Sequence, residues 1–92
     1  MGRILQVIKL TGAVVPFSQE RITNAIYRAA VAVGGRDRSI AERLSAQVVT
    51  LLEETTPEGV IPSVEDIQNS VEKVLIENGH ARTAKAYILY RN

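Results

Sequence analysis

The sequence predicts an α+β domain: a four-helix bundle capped by a small N-terminal β-hairpin, which a third short strand would widen into a three-stranded mixed sheet. Three observations predict it. Two apolar, β-branched runs flank a glycine-containing loop within the first 17 residues. Beyond them, apolar residues recur at helical spacing in successive segments. Those segments open on Ser and close on Gly, Pro or Asn-Gly, the residues that start and stop helices.

The hairpin pairs Ile4–Lys9 with Ala13–Phe17 across the loop Leu10-Thr11-Gly12, where Gly supplies a positive φ. Strict alternation in the first strand points Leu5, Val7 and Lys9 one way and Ile4, Gln6 and Ile8 the other. Pro16 cannot donate to a ladder, which makes the second strand an edge.

Ser18 is the N-cap of the first helix, with Phe17 and Ile22 at the spacing of a hydrophobic staple. Ile22, Ala25, Ile26, Ala29, Ala30 and Val33 make one apolar stripe, ended by Gly34-Gly35. Ser39 and Glu42 have the spacing of a capping box for the second helix, whose stripe is Ile40, Leu44, Val48, Leu51 and Leu52. Pro57 and Gly59 stop it, and Val60-Ile61 is the expected third strand. Ser63 caps the third helix, with Glu65 and Asp66 in its first turn, where the helix dipole favours carboxylates. Val64, Ile67, Val71, Val74 and Leu75 form its stripe, and Asn78-Gly79 ends it. The last helix, from Ala81 to Arg91, is apolar on several faces: Ala81, Ala84 and Ile88 share one side, while Tyr87, Leu89 and Tyr90 surround the rest. Such a helix expects cover on several sides. Residues 1–92 therefore read as one domain, expected to be the excised N-terminal part of a longer chain whose next domain packs on this helix.

Composition narrows the function. The 92 residues carry a net charge of +1 and no cysteine, which excludes disulfides, cysteine nucleophiles and cysteine metal sites and suits a reducing cytoplasm, the expected location. The N-terminal stretch from Met1 reaches charge too soon for a signal sequence, and no apolar run is long enough to span a membrane. The basic residues are skewed: residues 1–46 hold seven Lys and Arg against three acids, residues 47–92 four against seven. A basic half can serve an anionic ligand or simply form a solvated face.

Catalysis finds little support. His80 stands alone beside a turn and reads as a helix-start residue rather than a metal ligand, and no metal site is expected. Glu53-Glu54 are adjacent, do not share a helix face and read as a solvated helix end. No GxxxxGK[ST] phosphate loop and no Ser-His-Asp set is present. Arg3, Arg28, Arg36, Arg38 and Arg43 lack the interleaved aromatics of a nucleic-acid surface. Phosphate binding has better candidates: Lys9 beside the Gly12 turn, and Arg21 in the first turn of a helix, where free amides and the dipole also favour anions. The two converge if the hairpin folds over that helix start.

At this point four stretches, in register over nearly the whole chain, resemble the ATP-cone family. They are Val7-Ile8-Lys9-x-x-Gly12, Val15-Pro16-Phe17-Ser18 with Arg21-Ile22-x-x-Ala25-Ile26, Val64-Glu65-Asp66-Ile67-Gln68-x-x-Val71-Glu72, and Ala84-Lys85-Ala86-Tyr87-Ile88-Leu89-Tyr90-Arg91. The resemblance implies a four-helix bundle under a small mixed sheet that binds ATP or dATP, with Mg2+, between the hairpin lid and the helices. It implies that Lys9, Arg21 and Arg91 meet phosphates, that Gly12 forms the turn of the lid, and that Val7, Val15, Phe17, Ile22 and Ala25 wall the adenine. Val64 and Gln68 would line the base and sugar. It further implies an allosteric regulatory domain controlling the overall activity of a ribonucleotide reductase, not an enzyme by itself. Its expected partners are the nucleotide effector, a catalytic domain of the same chain, and further copies in an effector-dependent oligomer, with neither membrane nor nucleic acid. The alternatives are a cone of a transcription regulator of reductase genes and a degenerate cone serving protein contacts only. One departure bears on the last of these: the family commonly has Lys-Arg-Asp-Gly where this chain has Lys9-Leu10-Thr11-Gly12, so Leu10 supplies no second cation.

Overall fold

The structure, a computed structural model, describes residues 3–91; the expectations for Met1, Gly2 and Asn92 lie outside it. In chain order the elements are β1 (Gln6–Ile8), β2 (Val14–Pro16), α1 (Gln19–Ala32), α2 (Arg38–Thr55), α3 (Val64–Glu77) and α4 (Ala81–Arg91).

β1 and β2 are antiparallel, with Val7 opposite Val15 and Gln6 opposite Pro16. Both strands are shorter than the sequence predicts, although Phe17 N donates to Leu5 O and Lys9 N to Ala13 O beyond their ends. The predicted alternation fails at the start. Ile4 and Val7 are both buried while Leu5 is 74% exposed, because Ile4 precedes the pleated strand and no longer obeys its period of two. Gly12 N donates to Lys9 O at 2.8 Å, closing a turn that ends in Gly12 at φ 90°. This is the three-residue hairpin loop in which glycine takes the left-handed position. β2 pairs with β1 alone, so Pro16 costs the ladder nothing.

The third strand is a correction. Val60-Ile61 forms none; instead Ile8 N donates to Pro62 O at 2.9 Å, and Ile8 and Ser63 form a single parallel bridge. Ser63 is the N-cap of α3, so the chain turns into a helix before a ladder can grow. The mixed pairing survives as one bridge.

Three helices begin on side-chain caps. Ser18 Oγ accepts from Arg21 N, and Ser63 forms a reciprocal capping box with Asp66. The cap of α2 is Asp37, not Ser39: its carboxylate accepts from Ser39 N at 2.9 Å and from Ser39 Oγ at 2.6 Å. Ser39 thus donates to the residue that outcompetes it, since an ionised carboxylate is the stronger acceptor. α3 ends as the sequence predicts. His80 N donates to Leu75 O and Gly79 N to Ile76 O, with Gly79 at φ 82°.

α1 packs on α2 and α4, and α3 packs on α2 and α4, so each helix has two neighbours around one core. That core is Ile22, Ile26, Ala29, Ala41, Leu44, Val48, Val71, Val74, Leu75, Ala84 and Tyr87. Each fully buried Leu or Ile contributes about 1.5–3 kcal/mol. On α4 the covered face is Thr83, Ala84 and Tyr87, while Leu89 and Tyr90 are 71% and 53% exposed.

Candidate functional site

The hairpin sets one end of the bundle. β2 leads within two residues into the Ser18 cap of α1, and β1 is bonded to Pro62 and Ser63 at the start of α3. The N-termini of α1 and α3 therefore lie at the hairpin end, with their positive dipole ends there. Lys9 follows immediately on the residue that bridges to Ser63, and Arg21 occupies the third position of α1. Both are exposed, and among the described residues neither forms an ion pair.

The other sequence-predicted residues fall around the same end. Gly12 is exposed at the hairpin tip. Val7 and Ile22 are 7% and 5% exposed, hence beneath the surface. Val15, Phe17, Ala25, Val64 and Gln68 are half-buried, and Phe17 and Ala25 pack against the bundle core. Arg91 reaches from the last turn of α4 onto α3: its Nη1 donates to Gln68 Oε1 at 2.9 Å, and its Nε lies 2.7 Å from Glu72 Oε2. Beside them Tyr87 is buried, and burial pushes its hydroxyl pKa up; the Arg91 charge works against this rise and the Glu72 charge adds to it.

A hollow of about 460 Å³ lies at the opposite end of the bundle, where Gly34, Gly35, Asp37, Gly79, His80 and Arg82 contribute to its lining. None of the sequence-predicted site residues borders it. We take the hairpin end as the candidate site, because Lys9 and Arg21, without ion-pair partners among the described residues, and the N-termini of α1 and α3 lie there, and charge with free amides suits an anionic ligand. Among the described residues no cluster of three or more His, Asp or Glu could hold a metal ion, and no helix is long and apolar enough to cross a membrane.

Comparison with known proteins gives the family: the ATP cone domain matches residues 5–92. The chain belongs to the ATP-cone family. The cone is 43% identical over 93 residues to a vitamin B12-dependent ribonucleoside-diphosphate reductase of Thermoplasma acidophilum, covering 96% of this chain and 12% of that protein. It is 36% identical over 90 residues to an anaerobic ribonucleoside-triphosphate reductase of Salmonella typhimurium, covering 94% and 12%. It is 35% identical over 92 residues to the ribonucleoside-diphosphate reductase subunit alpha of Treponema pallidum, covering 96% and 11%. The cone thus spans about one-eighth of the length of the first two of these relatives.

Two roles were not legible in the sequence. Glu72 lies four residues after Gln68, on the same face of α3, and that spacing was the available signal. Arg3 donates from its backbone N to Glu53 Oε2 and from its guanidinium to Thr56 O, which ties the entering chain to the end of α2. Glu53 is therefore engaged and not merely solvated. Arg38 is also occupied, hydrogen-bonded to Asn24 and stacked 5.6 Å over the Tyr27 ring.

Proposed function

We propose that this cone binds ATP or dATP, as the magnesium complex, at the hairpin end, and that the bound nucleotide regulates the overall activity of a ribonucleotide reductase. On this reading residues 1–92 are the nucleotide-binding regulatory domain of a longer chain and do no chemistry themselves. The observation that carries it is the pairing of Lys9 and Arg21, two cations without acidic partners among the described residues, with the starts of α1 and α3. Family membership supplies the ligand class.

The donor set suits a polyphosphate. Lys9 and Arg21 offer charge, α1 offers first-turn amides, and Gly12 allows the lid to turn tightly. The accessible apolar surface for a base is Val15, Phe17, Ala25 and Val64, with Gln68 as the hydrogen-bonding group and Val7 and Ile22 as the layer beneath. Arg91 would reach the phosphates by leaving its partners on α3. With no acidic cluster among the described residues to hold it, Mg2+ would arrive on the phosphates.

ATP and dATP differ by one hydroxyl, and a site separates them only where that hydroxyl meets a partner or a clash. Regulation then needs two arrangements of the domain that the two nucleotides favour unequally. The exposed Leu89 and Tyr90 on α4 offer a face for the catalytic domain of the same chain, and a change there would alter the packing and the oligomer.

A second reading, a degenerate cone that serves protein contacts only, is favoured by Leu10, an 80% exposed apolar side chain at the lid tip where the family commonly places a cation. Calorimetric titration of the chain with ATP, dATP and GTP in magnesium buffer, repeated on Lys9→Ala, separates the two. Adenine-selective heat that weakens in the variant supports nucleotide sensing. No heat and no thermal shift with any of the three establishes the degenerate cone.

A further inference from the structure

Glu72 carries a charge that the proposed site does not use, with one carboxylate oxygen buried. Its side chain is 20% exposed, and its Oε2 is buried without a hydrogen bond of good geometry, although Arg91 Nε stands 2.7 Å away. The contact is a charge contact, not a directed hydrogen bond. The directed bond from Arg91 goes instead to Gln68, one turn earlier on α3. The guanidinium that would meet phosphates is thus divided between two α3 side chains, by a directed bond at Gln68 and by charge contact at Glu72.

We propose that Glu72 is an internal competitor for Arg91, a latch that ties the last turn of α4 to α3 and opens when a polyphosphate takes the guanidinium. This rests on the nucleotide reading above and names how that site is regulated. A phosphate group carries more charge than a carboxylate and accepts the paired N–H bonds of a guanidinium, whereas Glu72 Oε2 accepts none with good geometry. Opening has a cost, because it leaves a buried carboxylate oxygen without its counter-charge beside the buried Tyr87. Glu72 therefore sets the nucleotide concentration at which Arg91 lets go. The same turn carries Leu89 and Tyr90, the exposed apolar pair. Release of Arg91 unpins that turn from α3, giving occupancy at the hairpin end a path to the outer face of α4.

The test is a double-mutant cycle in the 92-residue chain, with the affinity for magnesium ATP measured by calorimetry in wild type, Glu72→Gln, Arg91→Gln and the double variant. Loss of the competitor should tighten ATP roughly two- to five-fold in Glu72→Gln, the range for a partly exposed ion pair. In the Arg91→Gln background the same change should have no effect. A gain that persists without Arg91 overturns the latch, since it would come from simple repulsion between carboxylate and phosphate. Unchanged or weaker binding in Glu72→Gln, with wild type binding ATP, overturns the latch and leaves the nucleotide reading standing. No ATP binding by wild type removes both. If Glu72→Gln does not fold, the Arg91 Nε–Hε resonance of the wild-type chain, assigned by its loss in Arg91→Lys, decides instead: it must move on saturation with ATP, and a fixed resonance overturns the latch.

Discussion

Thr23 Oγ1 lies 2.6 Å from Ser45 Oγ, a buried hydroxyl pair that joins α1 to α2 inside an otherwise apolar seam. Ser45 Oγ in turn donates to Glu42 O and accepts from Gln19 Nε2. Ser45→Ala removes an acceptor that two side chains share, but Thr23 Oγ1 keeps Gln19 O at 3.2 Å and the exposed Gln19 can turn to water, so the loss should be about 0.5–1.5 kcal/mol, that of an ordinary hydrogen bond. Thr23→Val alone should cost less, because Ser45 keeps its other partners. The double variant should be more stable than the sum of the single losses. Urea unfolding of the four proteins measures the coupling, and strict additivity would show that the pair does not interact.

Gly12 stands at φ 90° with open space where a Cβ would go. Steric crowding therefore adds nothing to the effect of Gly12→Ala, which should lower stability by about 1–2 kcal/mol through backbone conformation alone. Thermal unfolding checks it. A melting temperature unchanged by the substitution would mean that the turn does not need a left-handed residue.

Asp37 gives the fold an acid-sensitive cap. The Ser39 hydroxyl, then the Ser39 backbone amide, hold its carboxyl below the ordinary value of 3.8. A depressed folded pKa favours the ionised form in the folded state. Its contribution is therefore present above pH 3.8 and lost as pH falls through the lower folded value. Asp37→Asn keeps a good N-cap and should melt close to wild type at pH 7. Below about pH 4 the gap between the two proteins should close further, because only wild type loses a charge-assisted cap there. Parallel melting curves down to pH 2 would refute this.

Leu10 is 80% exposed at the lid tip, so Leu10→Arg should leave stability within about 0.5 kcal/mol. On the nucleotide reading it adds a cation beside Lys9 and should tighten ATP roughly two- to ten-fold. An affinity that does not respond would place the phosphates away from the lid tip.

The resemblance to the family and the order of elements were legible because they rest on local signals. Ser18 and Ser63 cap where their sequence context says they should, and Gly79 ends α3, since each satisfies backbone groups within a few residues of itself. The candidate residues Lys9, Arg21, Gly12 and Arg91 could be named from the sequence by type, but their arrangement could not. That Arg91 rests on Gln68 and Glu72 depends on α4 running back along α3, which no spacing within either helix reveals.

By itself, then, the sequence determined which segments are helical, where three of their ends lie, and which faces are apolar, because hydrogen-bond capping and a 3.6-residue period act over short distances. Tertiary structure decided what covers those faces. It buried Tyr87 and left Leu89 and Tyr90 open on the same helix. It chose Asp37 over Ser39 at the start of α2. It also replaced the expected third strand with one bridge from Ile8 to Ser63. Periodicity describes a face but not its neighbour, and the neighbour is fixed only when helices distant in sequence compete for the same apolar surface.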